Sequence, residues 1–251
     1  MNGHPSTCAL SVVIPAYNER VRLPPYLEAW LDLLRRDRMA FEIVVVDDGS
    51  SDGTVEWVQE IGCNNPEVRL VRNDRNRGKG YSICHGMREA RGEVRLFADA
   101  DGATPAGEYQ RLMQRFDATS WPVVIGTRIP LSGITTVQRN LMRHYSGRVF
   151  ATMMSLMSGL NYYDTQCGFK MFSARAAEAI FPLVQCRGWA FDVEVLMLAQ
   201  RMGFGVAEVP VNWSEVPGSK VRILRAAPRM LRDVVEMRWR HRHLKRIPKP
   251  Q

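Results

Sequence analysis

The sequence predicts an α/β fold, a mostly parallel sheet with helices on both of its faces. Three observations carry that expectation. Short, almost wholly apolar runs alternate with longer segments of helical periodicity, as buried parallel strands and their crossover helices do. The connections between them are short. Carboxylates and other polar residues stand just after the apolar runs, at the strand ends where such sheets bind ligands. With 251 residues, 45 % hydrophobic and 24 % charged, the chain is globular in composition and long enough for a sizeable core. Disordered, collagen-like and low-complexity classes are excluded.

Residues 10–15 are apolar, end at Pro15 and read as a buried strand. Residues 21–38 follow with Leu23, Leu27, Leu31 and Leu34 at helical spacing. The nearly all-apolar run 41–46 reads as a central parallel strand. Asp52 offers a cap to a helix reaching Ile61. A strand at 68–71, a helix at 80–90 and a strand at 93–98 complete β-α-β-α-β-α-β. Beyond these come a helix at 105–116, a strand at 123–126 and a long Met-rich helical stretch at 136–160. A short strand at 170–172 precedes a helix near Ala174, then a helix at 191–202 and a strand at 205–211. Pro217-Gly218 breaks the chain, and a basic helix runs on to His243. No composition shift marks a boundary, so residues 1–251 read as a single domain. Its core spans 8–221, and a basic amphipathic helix spans 222–247.

The formal charge of +8 is unevenly spread. From Arg222 to Lys249 there are ten Lys and Arg against two acids, Asp233 and Glu236. Of the 34 bases and 26 acids in all, 24 of each remain for the rest of the chain. A neutral body with a basic tail points to an anionic surface, membrane or nucleic acid. The five cysteines, Cys8, Cys63, Cys84, Cys167 and Cys186, include no pair at CxxC spacing. Without a signal-peptide pattern they read as reduced, buried thiols in the cytosol. His4, His85, His144, His241 and His243 give no metal spacing and read as isolated surface residues. No run reaches the about 18 apolar residues of a spanning helix. The longest uncharged stretch, 149–163, is diluted by Ser, Thr, Gly and Asn.

At the strand ends, Asp99-Ala100-Asp101 places two carboxylates one residue apart. Such a pair suits Mg²⁺ or Mn²⁺ completed by substrate phosphates, although alone it also fits a solvated turn. Residues 47–53 read as a tight turn with Asp52 as cap, or as Asp48 presented to a nucleotide base or ribose. Asn76-Arg77-Gly78-Lys79-Gly80 could cradle a phosphate at a helix N-terminus. It is not a P-loop, and no Gly-x-Gly-x-x-Gly follows the first strand.

In order along the chain stand Ser11-Val12-Val13-Ile14-Pro15-Ala16-Tyr17-Asn18-Glu19, Val45-Val46-Asp47-Asp48-Gly49-Ser50, Asn76-Arg77-Gly78-Lys79-Gly80 and Asp99-Ala100-Asp101. Together they resemble the inverting family 2 glycosyltransferases, which have a GT-A fold. The second half is similar to the dolichyl-phosphate β-glucosyltransferase branch. That likeness rests on Asp99 to Thr104, Gly126-Thr127-Arg128, Asp164 to Lys170, Trp189 to Glu194, and Val211-Asn212-Trp213 through Ser219-Lys220.

The resemblance implies a metal-dependent hexosyltransferase, using Mg²⁺ or Mn²⁺, that moves glucose from UDP-glucose onto a polyprenyl (dolichyl or undecaprenyl) phosphate with inversion. GDP-mannose-dependent transfer to the same lipid and transfer to a saccharide hydroxyl are the alternatives. By the same resemblance Pro15, Tyr17 and Glu19 line the nucleotide pocket, and Val46 and Asp48 flank base and ribose. Asp99, Ala100 and Asp101 lie at the sugar and diphosphate, with Asp99 and Asp101 as metal ligands. Arg128 is placed for phosphate, and Lys220 with Arg222 could close over the diphosphate. Asp101, Arg128, Asp192 and Lys220 are the catalytic candidates. Asp192 and Glu194 stand where relatives keep an acidic pair. Asp192 reads as an acceptor-orienting group or as an ordinary cap or ion pair.

A lipid phosphate must be reached at a membrane. Residues 137–160 carry Leu141, Tyr145, Val149, Met153, Leu156 and Leu160 at helical spacing, beside Arg139, Arg143 and Arg148. This stripe fits a core helix or an interfacial one. The basic helix carries Arg225, Arg229, Arg232 and Arg238, with Met230, Leu231, Val234, Val235 and Trp239 between them. The expectation is peripheral attachment to an anionic membrane from the cytoplasmic side, with no transmembrane segment or signal peptide. A nucleotidyltransferase would need a Gly-rich loop with Arg after the first strand. A nucleic-acid-binding protein would leave the strand-end acids without purpose, so no nucleic acid partner is expected.

Overall fold

The computed structural model describes residues 8–129, 135–138, 158–216 and 223–244. Its strands are β1 (Leu10–Ala16), β2 (Phe41–Asp47), β3 (Val68–Arg72), β4 (Val94–Ala98), β5 (Val123–Thr127), β6 (Val137–Gln138), β7 (Phe169–Ser173), β8 (Val206–Pro210) and β9 (Trp213–Ser214). Its helices are α1 (Leu23–Arg36), α2 (Thr54–Asn64), α3 (Lys79–Glu89), α4 (Glu108–Arg115), α5 (Ala174–Ile180), α6 (Phe191–Arg201) and α7 (Ile223–Arg240).

Seven strands form one sheet in the order β3-β2-β1-β4-β7-β5-β8. All pairings are parallel except those of β7, which runs antiparallel between β4 and β5. The first strand therefore lies between β2 and β4, and the strand order reverses there. A crevice opens beyond the carboxyl ends at such a point. The ends of β1, β2, β4 and β5 and the start of β7 all meet that edge.

Alternation along each strand serves two layers. Val12, Ile14, Ile43 and Val45 pack with α1, α2 and α4 through Leu27, Trp30, Val58 and Leu112. Val13, Val44 and Val46 pack with α3, α5, α6 and α7 through Met87, Ala177, Leu196 and Val234. Both faces of the sheet are covered, which is why its strands read as continuous apolar runs. Trp30 is fully buried and contacts Tyr109 and Phe169 at 5.7 and 6.2 Å between ring centroids. Burying a large apolar side chain of this kind contributes roughly 1.5–3 kcal/mol.

The structure corrects several expectations. The N-cap position of α2 is Gly53, at φ 84°, and Asp52 stands one residue before it. The Asp52 carboxylate accepts from Arg20 N and from Thr54 N, so it serves the first N–H of α2 and ties that helix start to the loop after β1. Helix α4 starts at Glu108, three residues later than its periodicity suggested. Val137–Gln138 is a strand paired in parallel with Trp213–Ser214, where helix was expected from residue 136. The rest of the Met-rich stretch, 139–157, lies outside the described residues. Cys63 is exposed rather than buried. His241 is buried and bonded to Glu194, and His85 is half-buried with Nδ1 2.8 Å from Asn73 Oδ1.

Candidate active site

Pro15, near the end of β1, is half-buried, and Tyr17 just beyond it is 39 % exposed. Glu19 is buried and forks Arg22, with Nε to Oε2 at 2.7 Å and Nη2 to Oε1 at 2.6 Å. Burial works against the charge of Arg22. The Glu19 fork, with Asp101 and Asp99 beyond it, outweighs that and raises its pKa.

After β2, the two aspartates build the backbone. Asp47 accepts from Gly49 N and Ser50 N, both at 3.1 Å. Asp48 is buried and accepts from Asn73 Nδ2 at 2.8 Å and from Arg77 N and Gly78 N at 2.9 Å. Val46, expected at the base, is fully buried and packs under α3 instead. In the loop 76–80, which could have cradled a phosphate, the N–H groups of Arg77, Gly78 and Gly80 are already engaged. Asp48 takes the first two, and the Arg187 carbonyl takes Gly80 N at 2.9 Å and Tyr81 N at 3.4 Å.

After β4, Asp99 N donates to Gly168 O at 3.1 Å, joining this loop to the start of β7. Gly168 leaves room for the Asp99 carboxylate, which a Cβ at this position would displace. Lys79 Nζ lies 2.5 Å from Asp99 Oδ1, and its charge is favoured by Asp99 and Asp192 despite burial. Trp189 and Phe191 flank that ammonium at 5.3 and 5.9 Å. Asp101 accepts from Ala103 N at 3.1 Å. Burial pushes its pKa up, and the neighbouring Asp99 carboxylate pushes further. Ala100 between them is buried in the core.

Asp192 is 2 % exposed and its Oδ1 meets Lys170 Nζ at 2.5 Å. Lys170 is fully buried and also donates to Cys167 O at 2.5 Å. Burial raises the Asp192 pKa although Lys170 and Lys79 oppose it. Glu194, by contrast, points away from the crevice. Its oxygens accept from Gln185 N, Cys186 N and His241 Nε2.

After β5, Arg128 is clamped by Asp164. Arg128 Nε meets Oδ2 at 2.7 Å, Nη2 meets Oδ1 at 2.8 Å, and the backbone N meets Oδ2 at 3.0 Å. Burial would raise the Asp164 pKa, but Arg128 outweighs it and holds the carboxyl far below its usual range. The guanidinium lies 5.7 Å from the Trp213 ring. Lys220 and Arg222 lie outside the described residues.

The structure thus brings Glu19, Asp99, Asp101, Arg128 and Asp192 to one edge and turns Val46 and Ala100 inward. Sequence reasoning gave no site role to Arg22, Asp164 and Lys170. Lys170 had a signal: a lone cation inside the apolar run Phe169-Lys170-Met171-Phe172 must find a buried partner.

A family model, Glycosyl transferase family 2, matches residues 11–181. The dolichyl-phosphate beta-glucosyltransferase of Dictyostelium discoideum is 36 % identical over 243 residues, 92 % of this chain and 74 % of that protein. Those of Saccharomyces cerevisiae and Homo sapiens are 35 % and 36 % identical over 91 % and 94 % of this chain, and 74 % and 76 % of their own lengths. Among solved structures, glucosyl-3-phosphoglycerate synthase from Mycobacterium tuberculosis, in complex with Mn²⁺, UDP and glucosyl-3-phosphoglycerate, superposes with a TM-score of 0.65 at 19 % identity. That match covers 91 % of this chain and 78 % of the other. Mannosyl-3-phosphoglycerate synthase from Rubrobacter xylanophilus gives 0.70 at 18 % identity, over 97 % and 78 %. These likenesses show the GT-A fold. The chain belongs to the family 2 glycosyltransferases.

Proposed function

We propose that this protein transfers glucose from UDP-glucose to a polyprenyl phosphate, with inversion at the sugar carbon. The observation that carries the reading is the surplus of negative charge after β4, where Asp101 is pushed up by burial and by Asp99. The relatives named above act, by their names, on dolichyl phosphate as glucosyltransferases.

The donor set suits a hard divalent cation. Asp99 Oδ1 is buried and lacks a hydrogen bond of acceptable geometry although Lys79 lies beside it. Among the described residues no three His, Cys, Asp or Glu converge as a closed metal site, so the diphosphate and water would complete the shell. Asp101 and Asp99 would hold Mg²⁺ or Mn²⁺, which when bound stabilises charge developing on the leaving diphosphate. Lys79 supplies fixed positive charge at the same place. Pro15, Tyr17 and Glu19 line the nucleotide side, and Asp48 acts by holding the loop that presents Lys79. Arg128, oriented by Asp164, is assigned to phosphate, as are Lys220 and Arg222, which lie outside the described residues. An acceptor phosphate is already ionised near neutral pH, since its second pKa is about 6. No strong base is then needed, which fits Asp192 being bonded to Lys170 and leaves it an orienting role.

The working unit joins a core over 8–221 to a basic segment over 222–247, within which α7 spans Ile223–Arg240 and stops short of the expected end. In α7 the stripe divides. Met230, Val234 and Met237 are buried in the core, while Val235 and Trp239 are exposed beside Arg232, Arg238 and Arg242. We assign that outer face to anionic lipid on the cytoplasmic side of a membrane. No helix among the described residues is long and apolar enough to cross one.

The test is incubation with radiolabelled UDP-glucose, Mg²⁺ and polyprenyl phosphate in detergent, counting label in the organic phase. Label with wild type and none with Asp101→Ala is the expected result. Label from GDP-mannose alone would change the sugar, and none from any nucleotide sugar would remove the lipid phosphate as acceptor. Co-sedimentation with phosphatidylserine vesicles, weakened by Trp239→Ala, checks the lipid face.

A further inference from the structure

Residues 185–188 form a short strap between η1 (Phe181–Leu183) and α6. Its backbone is fastened twice. On one side Glu194 Oε2 accepts from Gln185 N at 2.9 Å and from Cys186 N at 2.6 Å. On the other, Arg187 O accepts from Gly80 N and Tyr81 N in the first turn of α3. The two backbones touch so closely that side chains are excluded. A Cβ on Gly78 would stand 2.5 Å from Arg187 O, and one on Gly80 would stand 2.5 Å from Cys186 O. Helix α3 opens at Lys79, whose ammonium contacts Asp99 and is flanked by Trp189 and Phe191 at the end of the same strap.

Glu194 is fully buried, and a carboxylate so placed is tolerated only where its hydrogen bonds are complete. Its second oxygen receives His241 Nε2 at 2.7 Å and Arg240 Nη1 at 3.4 Å, from the end of α7. Neither oxygen faces the crevice. One carboxylate thus joins the C-terminal helix to the strap that sets the position of Lys79.

We propose that Glu194 is a positioning residue for the donor site, acting through the 185–188 strap and helix α3 on Lys79, and that the seating of α7 feeds into the same strap. This rests on the donor-site reading above for its functional consequence, and on backbone geometry for the rest.

Two readouts test it. Amide hydrogen exchange at Gly80 and Tyr81 needs no ligand, and UDP binding with Mn²⁺ is measured by calorimetry. Glu194→Ala should speed exchange at both amides and weaken UDP about tenfold, as small displacements of a binding group do. Glu194→Gln should recover most of both, since an amide oxygen can accept the two strap N–H groups while its NH₂ faces His241. In a Lys79→Ala background Glu194→Ala should cost less than about twofold more, because both changes then act through one group. Gly80→Ala, which pushes the strap away without touching Glu194, should reproduce the Glu194→Ala pattern if that variant does not fold. Unchanged exchange at Gly80 and Tyr81 would overturn the proposal. So would additive losses in the double variant, which would make Glu194 a stabilising carboxylate only. If wild type binds GDP and not UDP, the cycle is read with GDP and only the donor base changes. If it binds neither, the donor-site reading falls, and the exchange data alone decide whether Glu194 holds α3.

Discussion

The cluster at the end of β5 and the cluster at the end of β4 draw on the same residue types and end in different electrostatic states. Asp164 and Arg128 match one for one, in a fork that lowers the acid and raises the base. At β4 two carboxylates, Asp99 and Asp101, share one close ammonium, and Asp101 is left raised. The first cluster is matched within itself, and the match holds Arg128 in one orientation. The second keeps a surplus of negative charge, the setting that favours a cation. Proximity of charges does not mark a ligand site; an imbalance that the protein leaves standing does.

Removing the imbalance should cost function and spare the fold. Asp101→Asn is expected to lower lipid-linked transfer by about 10²–10³-fold. Its denaturation midpoint should match or exceed wild type, and a large fall would place Asp101 with the scaffold. Breaking the balanced pair should cost stability as well. Asp164→Ala strands a part-buried guanidinium and should cost about 3 kcal/mol in urea unfolding, the low end for such pairs. A smaller contrast lies in pH. The folded pKa of Asp101 is raised, so its charged form opposes folding at neutral pH. That opposition fades as pH falls through the raised value toward about 3.9, the unfolded reference. The stability gap between Asp101→Asn and wild type should therefore close on acidification. The folded pKa of Asp164 is depressed, so its contribution is complete above about pH 3.9 and is lost as pH falls below it. The smallest effect is expected at Trp189, whose ring supports Lys79. Trp189→Ala should weaken UDP with Mn²⁺ by the about 0.5–1 kcal/mol of one cation–π contact, read by calorimetry.

The β1-to-β4 half was legible because parallel strands buried on both faces write themselves as unbroken apolar runs, and their end acids follow at once. The strand Val137–Gln138 was not, since its two residues are held by pairing with Trp213–Ser214, far along the chain. Periodicity could show that α7 is amphipathic, but not that Met230, Val234 and Met237 turn inward while Val235 and Trp239 turn out. The anchoring of the 76–80 loop by Asp48 is not legible in the sequence, because two of its three hydrogen-bond partners are backbone N–H groups that no side-chain pattern announces. The strap over α3 was invisible for the same reason.

Strand β7 has a consequence for the order in which the molecule can be made. It pairs Ala98 with Phe169 on one side and Ile125 with Lys170 on the other, so β5 reaches the sheet only through it. Closing a loop of that length slows folding more than it weakens the final state. A nascent chain halted before residue 168 can pair β1 to β4, yet Asp99 N then lacks its partner in Gly168 O, and neither Lys170 nor Asp192 has been made. Synthesis must run past the centre of the chain before the transfer site exists, and what emerges earlier is half a sheet with an open edge.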